Sequence, residues 1–278
     1  MYDEVSAFII ARNEEENIGK TLYSLWKQKH TLREIVVIND GSTDRTREIC
    51  ETYQDVTPPV KIVDLPYHED SYVGRWELGR SINHGLREIR TSGVPDWILQ
   101  LGADHVLPDN YVSELVDRMT DEIRISSGSY EGAWEILNID TPLGSGKLID
   151  AKLWDEFNGM LYPEKYAYES WIGYRFRKEG YGVSRHDDLI TEVRAARMNR
   201  KKAYFWGKGT YALGGVLPFA LLKAMSLRRN GLKFIQGYFS RKDVEKHEDI
   251  CDYVGSMQWE KARKQGLSIL NKWRKVKI

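Results

Sequence analysis

Asn13, Glu14, Asp40 and Asp44 stand out for the chemistry they could do, because they sit on two polar tips that each follow a short apolar run. The first run, Val5 to Ile10, ends in Arg12-Asn13-Glu14-Glu15, and the second, Ile35 to Ile38, ends in Asn39-Asp40-Gly41-Ser42-Thr43-Asp44. Carboxylates and amides accept from N–H and O–H groups, so two carboxylates and an amide side by side suit the edge of uracil or guanine and a ribose. They do not suit a phosphate cradle. Neither G-x-G-x-x-G after the first run nor G-x-x-x-x-G-K-[ST] anywhere is present to supply one. The competing reading of Asp40 to Asp44 is a turn and a helix N-cap supplied by Thr43 or Asp44. Asn13-Glu14 on the neighbouring tip moves the balance toward a binding site.

The elements that must position these tips follow from the apolar pattern. Both runs are too short for ordinary helices and read as strands. Between them Ile18, Leu22, Leu25 and Trp26 fall at helical spacing, and a second helix opens at Arg45. That order is βαβα, hence an α/β protein with a parallel sheet whose ligand loops lie at the carboxyl ends of the strands. A third strand is expected over 60–65, then a helix over 76–89 with Leu78, Ile82, Leu86 and Ile89 inward. A strand over 96–101 ends in Gly102-Ala103-Asp104-His105. Residues 124–163 read as strands and connections, 182–184 as an edge strand and 186–188 as a polar turn.

The segments IIARNEEENIGKTLYSL and EIVVINDGSTDRT resemble the nucleotide-binding half of the family 2 glycosyltransferases, inverting enzymes of the GT-A fold. The resemblance is closest over 4–110, looser over 140–195, and fades beyond. It implies a GT-A (Rossmann-like) α/β fold with a mixed, mostly parallel sheet flanked by helices. A catalytic domain would cover 1–195, with 1–110 taking the nucleotide-sugar and 111–195 the acceptor, and a helical extension would cover 196–278. It also implies that Ala11, Asn13, Glu14 and Asp40 surround base and ribose, with Asp44 in the same loop.

Further along, GRWELGRSINHGL is similar to the family's G-x-x-x-A-R-N-x-G, with Gly74, Asn83 and Gly85 matching and Arg80 displaced by two positions. Arg75 and Arg80 are then candidates for diphosphate oxygens, which an arginine fork fits. The family's D-x-D falls on Gly102 and Asp104, so the first acid is missing. The resemblance implies a divalent cation, Mn²⁺ or Mg²⁺, on Asp104. His105 and His186 are candidate nitrogen ligands, and a nitrogen would favour Mn²⁺. Lys147 lies in the segment that approaches sugar and acceptor. Glu169 stands eleven residues before Gly180, where the family carries its catalytic base, with Arg175 following. A carboxylate there would take the acceptor proton. Its competing reading is an acid favoured by the helix N-terminus.

The chain has 278 residues with 41 basic and 41 acidic ones, a balance that argues against a general nucleic-acid binder. Cys50 and Cys251 show no metal spacing and read as thiols in a reducing compartment. A strand starting at Val5 implies no signal peptide, and the apolar run 214–225 is too short to span a bilayer, so a cytoplasmic location is expected. Arg194, Arg197, Arg200, Lys201 and Lys202 form a basic run that suits a phosphate-bearing acceptor or lipid headgroup as well as a solvated face. Over 212–278 apolar and basic pieces alternate. Leu217, Leu221, Leu222 and Met225 share one helical face beside Arg228, Arg229 and Lys233, a pattern for peripheral contact with the inner membrane face. The expected activity is transfer of a sugar from a UDP-linked donor, with GDP next, to a glycan or polyprenyl-phosphate-linked acceptor. A noncatalytic nucleotide-sugar-binding module and a nucleotidyltransferase are the rivals. The second would need a Gly-rich basic first loop, which Ala11 to Glu15 is not.

Overall fold

The computed structural model describes residues 3–130, 142–194 and 198–275, with side chains through Lys264. The chain divides into two compact units. One comprises Met1–Ser71, Glu77–Pro163 and Glu179–Ala196, and the other Tyr72–Trp76, Glu164–Lys178 and Arg197–Ile278.

The first unit is built on one sheet, eight-stranded among the described residues. Its strands are β1 Val5–Ala11, β2 Glu34–Asn39, β3 Val60–Asp64, β4 Trp97–Gly102, β5 His105–Val106, β6 Ile123–Tyr130, β7 Lys147–Asp150 and β8 Gly182–Val193. They lie in the order β3-β2-β1-β4-β7-β6-β8-β5. β3, β2, β1 and β4 are parallel, while β7 runs antiparallel to β4 and β6. β1 and β2 are apolar nearly throughout because a central parallel strand is covered on both faces. Val5, Ala7, Ile9, Val37 and Leu99 join Ile18, Leu22 and Leu25 in one core.

The helices of this unit are α1 Ile18–Trp26, α2 Thr46–Glu51, α3 Glu77–Thr91, α4 Tyr111–Asp117 and α5 Ala151–Asn158. α1 and α3 bury the stripes their spacing predicts, except that Trp26 is 47% exposed and Leu78 only half-buried. Trp26 instead stacks on Tyr23, one turn back on the same outer face. Two expectations are corrected. Within 124–163, residues 151–158 form a helix: Asp150 accepts from Leu153 N at 2.9 Å as N-cap, and Gly159 ends it at φ 62°. The polar stretch 186–188 lies inside β8, in a bulge where the β6 register jumps from Ser127↔Arg185 to Ser129↔Ile190. Residues 131–141, part of the same expected strand region, lie outside those described.

The second unit contains α6 Tyr168–Lys178, α7 Arg200–Ala212, α8 Leu217–Ser226, α9 Gly231–Phe239 and α10 Cys251–Lys275. Ala203, Ala220, Leu227, Phe234 and Tyr238 form its small core. Gly207 and Gly237 allow α7 and α9 to touch backbone to backbone, since a Cβ at Gly237 would meet Tyr204 O at 1.9 Å. No helix among the described residues is long and apolar enough to cross a membrane.

Candidate donor site at the carboxyl ends of the parallel strands

The register aligns three strand ends: Ala11 of β1 lies opposite Asn39 of β2, and Ile10 opposite Gly102 of β4. The loops leaving these ends therefore converge, which brings Glu14, Asp40 and Asp104 to one edge of the sheet. Much of the polar tip chemistry holds the loops to each other. Asn13 adopts φ 52°, a left-handed conformation asparagine tolerates, and its Oδ1 accepts from Thr43 N at 2.8 Å. Asn13 N donates to Ser42 Oγ at 3.1 Å and Glu14 N to Thr46 Oγ1 at 2.7 Å. Asp44 accepts from Thr46 N and Oγ1 and from Glu15 N, while Glu15 accepts from Arg45 N. Burial raises the Asp44 carboxyl, but those hydrogen bonds outweigh it and hold it below its ordinary range. Asn13 and Asp44, expected around the nucleotide, therefore act here as loop fasteners: their acceptor oxygens are already taken by protein donors.

Asp40 keeps the most suggestive position. It is 3% exposed, its N donates to Ala11 O at 2.8 Å, its Oδ1 accepts from Ser81 Oγ at 2.8 Å, and its Oδ2 lies 3.2 Å from His68 Nε2. His68 belongs to the loop after β3. Arg12 clasps that loop, donating from Nη1 to Asp70 O at 2.9 Å and from Nη2 to His68 O. The loop passes directly over Gly41, where a Cβ would meet Pro66 O and Tyr67 Cα at 2.8 Å. With φ +70° as well, only glycine fits. Neither His68 nor Ser81 carries a signal in sequence spacing, since each reaches Asp40 only through the β2–β3 and β2–α3 packing.

Asn83, expected to meet the donor, is 1% exposed and clamps Tyr162: its Oδ1 accepts from Tyr162 N at 2.8 Å and its Nδ2 donates to Tyr162 O at 2.9 Å. Both ends of its amide are used, so the residue is a structural fastener. Arg80 is exposed on α3. Lys147 is 4% exposed within β7. Arg75, in the second unit, lies over the Tyr72 ring at 5.6 Å.

The expected metal ligands do not assemble. His105 is fully buried, with Nδ1 2.6 Å from Ser145 Oγ and Nε2 2.7 Å from Thr191 Oγ1, so both nitrogens are taken. Burial pushes its imidazole down to about 4. His186 places Nε2 2.7 Å from Ser126 Oγ. It lies on β8 within the bulge, six residues before Glu192 and seven before Val193, the two residues that pair with β5. Burial, helped by Arg118, lowers its pKa.

Asp104 itself is engaged by Arg194, whose Nε sits 3.1 Å from Asp104 Oδ2 and whose Nη2 donates to Glu14 Oε1 at 2.6 Å. Burial, with the Glu14 charge adding to it, raises the Asp104 carboxyl above its ordinary range despite Arg194. The Glu14 hydrogen bond raises Arg194, opposed by its partial burial. No group of three or more metal-ligating residues occurs among the described residues. As arranged, this donor set does not fit a divalent ion, because a guanidinium bridges the carboxylates that would hold it. Arg197 of the basic run lies outside the described residues.

In the second unit, Glu169 is exposed in the first turn of α6. Arg175 lies 3.5 Å from Asp249 Oδ2, which also accepts from Trp171 Nε1 at 2.8 Å. That pairing makes Arg175 a support for α6.

Residues 6–135 match the family described as Glycosyl transferase family 2. That stretch is a family 2 glycosyltransferase sequence. The chain is 26% identical over 146 residues to the poly-beta-1,6-N-acetyl-D-glucosamine synthase of Staphylococcus epidermidis, covering 52% of this chain and 32% of that one. The chain thus spans about a third of that relative's length. Its fold is that of GT-A glycosyltransferases. A mannosyltransferase from Pyrobaculum calidifontis, solved with GDP-Man and Mn²⁺, superposes with a TM-score of 0.60 at 13% identity, covering 99% of this chain and 81% of the other. TarS 1-349 of S. aureus, solved with UDP-GlcNAc, does so at 0.55 and 19% identity, covering 93% and 79%. The family 2 resemblance read from the strand-end motifs is thereby borne out.

Proposed function

We propose that this chain transfers a glycosyl residue from a nucleoside diphosphate sugar to a hydroxyl acceptor with inversion at the anomeric carbon. The observation that carries this reading is the convergence of Glu14, Asp40 and Asp104 at the carboxyl ends of β1, β2 and β4, within the stretch that matches family 2. Asp40, buried at the end of β2 with one oxygen on Ser81 and the other beside His68, is assigned to base or ribose N–H and O–H groups through the lone pairs those two partners leave over. Glu169 is the base. As the acceptor oxygen forms its bond to the anomeric carbon, its proton passes to the Glu169 carboxylate. The bond from that carbon to the diphosphate breaks, and its electron pair stays on the leaving nucleotide. UDP-linked donors are favoured over GDP-linked ones.

The acceptor reading extends to a lipid-linked phosphate. In its support, Leu217, Leu221, Met225 and Trp259 are 41 to 74% exposed, and Pro218, Leu221, Leu222, Met225, Trp259 and Ala262 line one apolar cavity of about 790 Å³ between α8 and α10. Such a face, flanked by Arg228 and Arg229, suits the interface of an anionic bilayer. Gly102 in the first acidic position favours the second reading, donor binding without turnover.

The test is release of UDP or GDP from a panel of nucleotide-sugars, in Mn²⁺, Mg²⁺ or EDTA, with lipid extract as acceptor. Release that Glu169→Gln suppresses supports the transferase. Donor binding without release in every condition supports the binding module instead.

A further inference from the structure

We propose that Arg194 is the built-in cation of the donor site: it takes the place of a carboxylate-held divalent ion toward the diphosphate, so that nucleotide binding here needs no metal. The inference rests on the donor reading above and goes beyond it in naming what offsets the leaving group's charge.

Four observations carry it. First, β5 pairs antiparallel with β8 through His105↔Val193 and Val106↔Glu192, so Asp104, just before β5, and Arg194, just after β8, leave the same end of that pairing. The strand pairing thus brings the two residues near each other. Second, it spans two strand-end carboxylates at once, Nη2 on Glu14 at 2.6 Å and Nε on Asp104 at 3.1 Å. Neither contact uses Nη1. The Arg194 side chain is 62% exposed while Glu14 and Asp104 are 15% and 22% exposed, so the cation is the outermost of the three and faces any incoming anion. Third, the position that would bring a second acid to this point is Gly102. A Cβ there would lie 3.2 Å from Asp104 Oδ1 and 3.4 Å from Ser145 Oγ. Ser145 is already committed, accepting from Gly102 N at 2.8 Å and touching His105 Nδ1 at 2.6 Å. A side chain at that position would crowd the Asp104 carboxylate and the committed Ser145 hydroxyl. Fourth, two buried-side carboxylates would repel a diphosphate unless a positive charge stood between them and it. A planar guanidinium can hold two carboxylates through some of its N–H groups and present others to phosphate oxygens. Arg194 stays protonated throughout, since its neighbours raise its pKa further, and it transfers nothing.

The experiment is calorimetric titration of UDP and of GDP into the full chain, first in EDTA and then in Mn²⁺, for wild type and Arg194→Ala. The expected result is that wild type binds one of the two with similar affinity in both conditions. Arg194→Ala is expected to weaken binding in EDTA by roughly 10- to 100-fold, the range for losing a charged hydrogen-bond partner. Mn²⁺ should restore part of it, because Glu14 and Asp104 are then free to hold the ion. Direct titration of Mn²⁺ alone should show tighter binding to Arg194→Ala than to wild type. Wild-type binding that appears only with Mn²⁺, or an Arg194→Ala affinity unchanged in EDTA, overturns the inference and leaves the donor reading standing. Binding of neither nucleotide to wild type in either condition overturns both. Should Ala lower the melting temperature, Arg194→Gln repeats the test with the aliphatic stem kept.

Discussion

Lowering the pH should loosen the first unit through His105, and the size of the effect follows from its surroundings. The hydrogen-bond network assigns the neutral tautomer. Thr191 Oγ1 gives its own hydrogen to Ser129 O at 3.0 Å, so it can only accept from His105 Nε2–H. Ser145 Oγ already accepts from Gly102 N, so its hydrogen points at His105 Nδ1. A second proton on the ring would set N–H against O–H in a site with no solvent exposure. The folded-state pKa accordingly falls from 6.5 to about 4. Above pH 6.5 the ring is neutral in both folded and unfolded chains and costs nothing. As pH falls from 6.5 to about 4 only the unfolded chain takes up the proton, so stability declines across that window and then levels. At about 1.4 kcal/mol per unit the loss is about 3 kcal/mol, or on the order of 5–10 °C in melting temperature. Burial also lowers His186 and His247, so the wild-type slope is not due to His105 alone. The decisive assay compares wild type with His105→Gln by thermal melting from pH 7.5 to 4. The variant starts lower but should show a shallower fall between pH 6.5 and 4. Parallel slopes for the two proteins would refute the reasoning.

Three further outcomes are expected. Asn83→Ala strands the buried Tyr162 N–H and C=O, and should cost about 2–4 kcal/mol in denaturant unfolding. Gly41→Ala forces a Cβ to within 2.8 Å of the 66–67 backbone at φ +70°, so it should displace the loop that carries His68. Nucleotide affinity would fall with little change in helix content by circular dichroism. Leu221→Glu with Met225→Glu should reduce co-sedimentation with anionic vesicles while leaving melting within about 1 °C, since both side chains are largely exposed. Unchanged sedimentation would remove the membrane reading.

Local pattern carried the alternating half of the fold. Strand run, polar tip and helical stripe recur within forty residues, and each depends on neighbours close in sequence, so β1 to β4 and α1 to α3 were legible before any coordinates. α5 was not: its Asp150 cap and Gly159 stop are local signals, but its apolar residues resemble a strand run. The bulge at 186–189 was not, because a polar stretch within a strand looks like a turn until its partner strand is known.

The sequence by itself determined which chemistry was on offer: carboxylates and amides at strand ends, one missing acid at Gly102, a carboxylate at the start of α6 and an apolar, basic tail. Only the tertiary structure decided which of those groups remain for a ligand. Asn13, Asp44 and Asn83 turned inward to protein donors and acceptors, and His105 became a buried neutral fastener. Arg194, 180 residues from Glu14 in sequence, became its ion-pair partner. The reason is that a side chain's type limits the hydrogen bonds it can make, while strand register and loop closure choose its partners. Those choices depend on contacts far apart along the chain, which local spacing does not encode.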